Sequence, residues 1–191
     1  MLQLLRLLAA LLPLTLAVDR SNFKTCNQAS FCKRQRAFNK NRSPSTYLIN
    51  ENTISIQEQA GRFSAKIRNS KHPSADFVLT LQNYQKEAVR LTIDENSNLF
   101  KRFDNKGTYV EEALNPKKFQ SIENLPKSAD GSTSAGIELG LDDTHKVKIS
   151  YDPIRLSFYE NGEEYLTVNS NNLMNLEHFR PKPENAQASN R

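Results

Sequence analysis

Val147-Lys-Ile-Ser-Tyr151, Asp152-Pro153, Ile154-Arg-Leu-Ser-Phe158, Asn161-Gly162 and Tyr165-Leu-Thr-Val168 follow one another near the end of the chain. Val147, Ile149 and Tyr151 alternate with Lys148 and Ser150, and Ile154, Leu156 and Phe158 alternate with Arg155 and Ser157. A period of two places the apolar side chains on one face of a pleated strand and the polar ones on the other. Asp152-Pro153 marks a turn between the first two strands. Asn161-Gly162 is the strongest short-range hairpin signal in the sequence, because both residues tolerate the positive φ of a two-residue turn. The stretch therefore reads as three consecutive antiparallel strands.

The same alternation recurs upstream from about Tyr47. It is carried by Ile54 and Ile56, by Phe63, Ala65 and Ile67, by Phe77-Val-Leu-Thr-Leu81 and by Val89-Arg-Leu-Thr-Ile93. At least six or seven strands, each with one apolar face, must bury those faces against one another, and an antiparallel β-sandwich is the expected fold, all-β. Between the blocks, residues 96–107 and 115–136 read as polar loops, with the Ser128–Gly136 stretch especially rich in turn formers. The tail PKPENAQASNR, residues 181–191, carries no apolar side chain larger than Ala and is expected to be disordered.

The chain has 191 residues, which suits one domain or one and a half. Only 37% are hydrophobic and the mean hydropathy is −0.66, so sizeable parts must lie outside any core. Residues 1–17, MLQLLRLLAALLPLTLA, have an early Arg6, an apolar stretch and Thr15-Leu16-Ala17 with small residues where a signal peptidase reads them. The run from Leu7 to Val18 is about 18 Å long as a helix, short of a ~30 Å hydrocarbon core. It reads as a cleaved secretory leader, with no membrane insertion of the mature chain. Cleavage removes one charge, Arg6, from a formal net charge of +5.

Residues 18–45 form the next segment, expected to be irregular and basic: Cys32-Lys33-Arg34-Gln35-Arg36, then Lys40 and Arg42. A nucleic-acid partner is unreachable behind a secretory leader, and the cluster reads as a solvated basic loop. Cys26 and Cys32 can close a small structural disulfide in an oxidising lumen; a redox pair would favour Cys-x-x-Cys, which is absent. The β-sandwich occupies 46–180.

The search for chemistry returns little. His72, His145 and His178 lie far apart in sequence, and no His/Cys spacing suits a metal; six glycines form no phosphate-binding loop. No cofactor is expected. The acidic doublets Glu111-Glu112, Asp142-Asp143 and Glu163-Glu164 are unsuited to glycoside hydrolysis as pairs, since neighbours on a strand point to opposite faces, and they read as solvated turns. Asn41-Arg42-Ser43 is a formal glycosylation sequon, disfavoured by Pro44. Tyr109, Tyr151, Phe158, Tyr159 and Tyr165 are the aromatics available to stack on sugars, with Tyr159 on the strand face opposite Leu156 and Phe158.

Val18-Asp-Arg-Ser-Asn-Phe-Lys-Thr-Cys26 and Ser30-Phe-Cys-Lys-Arg-Gln-Arg36 closely resemble the mature N-terminus of the α subunits of endoplasmic-reticulum α-glucosidase II, in glycoside hydrolase family 31. Val89-Arg-Leu-Thr-Ile-Asp-Glu95, Pro153-Ile-Arg-Leu-Ser-Phe158, Leu166-Thr-Val-Asn169 and Leu176-Glu-His178 repeat the likeness in order. The resemblance implies a galactose-mutarotase-like sandwich ahead of a (β/α)₈ barrel, trimming of α-1,3-linked glucose from N-glycans by a retaining mechanism, and a non-catalytic β subunit as partner. It also implies residence in the endoplasmic-reticulum lumen. The family's nucleophile motif is Trp-x-Asp-Met-Asn-Glu, and this chain has no Trp, so no residue here takes a catalytic role. The chain is therefore expected to be a non-catalytic N-terminal domain that supports the barrel and its entrance. The alternatives are a carbohydrate-binding module, or a β-subunit-docking module acting through Lys33, Arg34 and Arg36.

Overall fold

The computed structural model describes residues 20–40, 47–74, 76–85, 87–96, 115–129, 134–176 and 178. The leader, the Asn41 sequon, Tyr109, Glu111-Glu112 and the tail from Pro181 lie outside the described residues. The chain divides into two compact units, Met1–Ser43 and Pro44–Arg191.

In the first unit the expectation of an irregular basic loop is corrected. Two short 3₁₀ turns, Arg20–Asn22 and Cys26–Gln28, precede an α-helix, α1, over Ser30–Lys40. Lys, Arg, Gln and Ala are strong helix formers, and neither Gly nor Pro interrupts residues 18–42. Gln28 Oε1 accepts from the Thr25 backbone N–H at 2.8 Å, and Lys33 N–H donates to the Ala29 carbonyl at 3.1 Å to open the helix. Lys40 in the last turn complements the negative end of the helix dipole.

The second unit is the sandwich. Its strands are β1 (Tyr47–Ile49), β2 (Ser55–Gln57), β3 (Arg62–Asn69), β4 (Phe77–Asn83), β5 (Val89–Glu95), β6 (Ser121–Leu125), β7 (Gly136–Gly140), β8 (His145–Tyr151), β9 (Ile154–Glu160) and β10 (Glu163–Val168). One five-stranded sheet has the order β1-β3-β4-β5, with β2 also paired to β3, and the other runs β10-β9-β8-β7-β6. Every described strand pair is antiparallel. Asn161 and Gly162 take positive φ, 50° and 86°, in the β9–β10 turn that the sequence marks.

The alternation decides the core. Phe63, Ala65, Ile67, Leu79 and Leu81 of the first sheet and Ile137, Leu139, Val147, Ile149, Ile154 and Leu156 of the second are buried in one cluster, with Phe119 and Leu141 from the connections. Asn83 is buried with them, and its amide donates to the carbonyls of Lys118 and Leu141, tying the end of β4 to the connections before β6 and after β7. Two strands overturn the sequence reading. β6 lies within the stretch 115–136 expected to be a loop, and β7 follows it. Gly136-Ile-Glu-Leu-Gly140 carries glycines at both ends and a central Glu, residues depleted in strands, so it shows no strand signal; its whole length is nevertheless buried. Among the described residues, no helix is long and apolar enough to cross a membrane.

Candidate functional site

Register turns the outward side chains of the second sheet into ordered rows. Glu123 lies opposite Glu138, Glu138 opposite Lys148, Lys148 opposite Ser157, and Ser157 opposite Thr167, so one row crosses all five strands. The neighbouring row runs Ser121, Gly140, Lys146, Tyr159, Glu164. On the other side Gly136, Ser150 and Arg155 follow Leu125. Carboxylates therefore stand on the β6–β7 side, ammoniums on β8, and hydroxyls with an Arg–Glu pair on β9–β10.

Two carboxylates organise this face. Glu138 has a side chain only 8% exposed, although it belongs to the outer face, because Lys146 and Lys148 lie over it at 2.8 and 3.3 Å. Burial pushes its carboxyl up, but the hydrogen bonds and charges of the two lysines outweigh that and hold it below the usual value. Glu164 accepts from the Thr167 hydroxyl, from the Tyr159 hydroxyl at 3.1 Å and from Arg155 at 3.2 Å. Those donors, Thr167 first, likewise hold its carboxyl low. Lys148 also sits 5.0 Å from the centre of the Tyr159 ring. Between β8, β9 and the start of β10 lies an open depression of about 610 Å³, lined by Lys148, Ser150, Arg155, Ser157, Tyr159 and Glu164 and rimmed by prolines.

A second cluster closes the β7–β8 turn. Asp142 Oδ1 accepts from the backbone N–H of Thr144 (2.9 Å) and of His145 (2.8 Å), and from the Thr144 hydroxyl (3.1 Å). It also lies 2.8 Å from His145 Nδ1, while Lys117 Nζ approaches Oδ2 at 3.5 Å. Burial pushes this carboxyl up, yet the donors from Thr144 and His145 hold it far below the ordinary carboxylate range. The grouping of Thr, His and Asp is not a proton relay. The Thr144 hydroxyl and Asp142 both face Nδ1, whereas a relay needs nucleophile and carboxylate on opposite ring nitrogens. Asp142 is a turn-closing acceptor with a 14% exposed side chain, which corrects the reading of its doublet as a solvated turn.

Cys26 and Cys32 form a disulfide with Cα atoms 5.2 Å apart, joining a 3₁₀ turn to the first turn of α1. Lys33, Arg34 and Arg36 are exposed on α1. At 3.6 residues per turn, Lys33, Arg36 and Lys40 share one face within about 60°, and Arg34 lies on the next. Phe23 and Phe31 of the same unit are exposed, at 64% and 51%. Tyr151 and Phe158 are core residues, 6% exposed, so they cannot stack on a ligand. Tyr159 faces outward as its alternation requires, with Lys148 against its ring, and Tyr165 is exposed at an irregularity in the β9–β10 pairing. His72 and His178, distant in sequence, meet with ring centres 5.4 Å apart and planes tilted by 47°. Among the described residues no group of three or more His, Cys, Asp or Glu is placed to hold a metal ion. Glu138 and the outward rows have no signal in the sequence, whereas Asp142 stands in a doublet already read as a turn, and Asp-x-Thr-His is a local turn signature that marks its acceptor role.

The chain belongs to the family of the glycosyl hydrolase 31 N-terminal galactose mutarotase-like domain, whose model matches residues 31–190. The neutral alpha-glucosidase AB of Sus scrofa is 33% identical over 174 residues, covering 91% of this chain and 17% of the relative. That of Homo sapiens is 31% identical over 177 residues, covering 92% and 17%. The glucosidase 2 subunit alpha of Schizosaccharomyces pombe is 26% identical over 181 residues, covering 85% and 19%. In a crystal structure of an ER glucosidase II heterodimeric complex, of the catalytic subunit and the binding domain of the regulatory subunit, the similar region has a TM-score of 0.65 at 22% identity. It covers 88% of this chain and 20% of that one, a likeness of fold. The chain thus spans less than a fifth of the length of these curated relatives.

Proposed function

We propose that this chain serves as the non-catalytic N-terminal domain of an α-glucosidase that trims α-1,3-linked glucose from N-glycans in the endoplasmic-reticulum lumen. It supports a catalytic barrel and its entrance, and does not hydrolyse glycosides by itself. The observation that carries this reading is the two-sheet sandwich whose residues 31–190 match the family's N-terminal domain. Leu166 adds to it. Its register partner is the buried Phe158, yet it is 50% exposed at the sheet edge beside the 57% exposed Tyr165, and such a site is better covered by a following body of protein. The disulfide fits an oxidising lumen. Purified chain assayed with a dye-linked α-glucoside is expected to release no dye above the buffer rate; clear, saturable release would overturn the reading.

A second reading concerns the first unit. The Lys33, Arg36 and Lys40 face of α1 suits an acidic partner, and the regulatory β subunit is the partner proposed. Co-purification with that subunit is expected to fall when Lys33, Arg34 and Arg36 are all changed to Gln. Undiminished recovery would reject this surface.

A further inference from the structure

The depression on the outer face of the second sheet has a chemistry that the scaffold role does not use. We infer that it binds a phosphate ester of a small polyhydroxy molecule, the anion lying between Lys148 and Arg155 and the organic part against Pro126 and Pro153. Arg155 is held from one side only. Glu164 takes its Nη2 at 3.2 Å, and Glu164 is itself fixed by the hydroxyls of Thr167 and Tyr159. Three donors thereby engage that carboxylate, while Arg155 makes one contact to it on a side chain that is 45% exposed, with further guanidinium donors to offer. Lys148 is positioned in the same way, by Glu138 at 3.3 Å and by the Tyr159 ring at 5.0 Å. Glu138 is engaged more closely by Lys146, at 2.8 Å, so two ammoniums share one buried carboxylate.

The groups lining the depression therefore comprise two fixed cations against one carboxylate engaged by three donors, with the Ser150 side chain between them in the register. Glu123, the next carboxylate in the row, stands beyond Glu138 on β6 and does not line the depression. Cations held in place by neighbouring groups lose little freedom on binding an oxyanion, and charge-assisted hydrogen bonds are the strong ones. The apolar rim formed by Leu125, Pro126 and Pro153 suits the C–H face of a sugar ring better than a bare ion. An uncharged sugar lacks the group that Lys148 and Arg155 would hold.

The test is titration of the purified full chain with glucose 6-phosphate, followed by amide chemical shifts, with glucose as the uncharged control. Binding at or below about 10 mM is expected, weakening about tenfold in K148M and in R155Q, as loss of one charge-assisted contact requires. K66M removes the same charge from the other sheet, where Lys66 pairs with Asp76 at 3.5 Å, and is expected to bind like the parent. Glucose binding as tight as glucose 6-phosphate, equal weakening in K66M, or no shift in β8 and β9 amides would each overturn the inference. If R155Q fails to fold, K148M set against K66M decides alone.

Discussion

The phenolic oxygen of Tyr47 donates to the carbonyl of Leu176 at 3.0 Å and accepts from the Leu176 amide at 3.2 Å. One atom thus satisfies both main-chain groups of a residue 129 positions away and pins the strand-free segment after β10 to the first strand of the opposite sheet. The ring of Tyr47, 4% exposed, packs edge-on against Phe77 at 6.2 Å, and Phe77 in turn meets His178 at 6.3 Å. Tyr47→Phe keeps this packing and orphans two part-buried backbone groups. The expected cost is about 1–2 kcal/mol in urea unfolding, with faster hydrogen exchange at the Leu176 amide. An exchange rate equal to that of the parent would show that the hydroxyl holds nothing.

Asp142 links the β7–β8 turn to pH. Its carboxyl is held far below the ordinary range in the folded chain, whereas an unfolded Asp titrates near ~3.9. A carboxyl lowered on folding contributes stability that is complete above the unfolded value and is lost as pH falls toward the folded one. Stability is therefore expected to hold above about pH 5 and to fall steadily below about pH 4. Asp142→Asn, which cannot ionise, is expected to cost about 2–3 kcal/mol from pH 7 down to about pH 5, and progressively less below about pH 4. Parallel stability curves for the two proteins between pH 6 and pH 3, measured by urea midpoint, would contradict this assignment.

How far the chain could be read depended on whether a feature was local. Phe63, Ala65 and Ile67, or Val147, Ile149 and Tyr151, announce their strands because a half-buried strand imposes a two-residue period on its own sequence. β7 announces nothing, since burial on both sides removes the alternation and its Glu138 is buried by lysines from the next strand. α1 has strong helix formers in its Lys, Arg, Gln and Ala content, but its charge suggested a loop and the helix went unread. The outward rows could not be read at all. Lys148 meets Ser157 and Glu138 only through the registers of β8 with β9 and with β7, and no single segment encodes a register.

Two glycines with positive φ separate conformational strain from steric exclusion. Gly61, at φ 57°, begins the approach to β3, and a Cβ there would lie 1.8 Å from the Lys117 carbonyl oxygen, part of the backbone. Gly162, at φ 86° in the β9–β10 turn, has nothing within 4 Å of the same position. Gly162→Ala is expected to cost about 1–2 kcal/mol from strain alone. Gly61→Ala must also displace the Lys117 backbone, and with it the bond from Lys117 N–H to the Asn83 carbonyl at 3.1 Å, so about 3 kcal/mol or more is expected. Equal midpoint shifts on thermal unfolding would mean that the segment around Lys117 yields freely.

The disulfide should matter most for α1. An isolated helix of 11 residues is marginal in water, and the first turn of this one has no acidic residue to complement the dipole. Cys32 lies in that first turn, and its bond to Cys26 holds the turn against the preceding 3₁₀ turn, capped by the Gln28 side chain. Closing so short a loop restrains the unfolded segment by about 2 kcal/mol in the chain-entropy account, enough to decide whether a marginal helix is populated. Reduction, or Cys26→Ser with Cys32→Ser, is expected to bring the Cα chemical shifts of residues 30–40 most of the way to coil values. The basic face of Lys33, Arg36 and Lys40 would disperse with the helix, so affinity for an acidic partner is expected to fall without any charge being removed. Helical shifts that survive reduction would place the origin of the helix in its Lys, Arg, Gln and Ala content alone, and the proposed docking surface would then be insensitive to redox state.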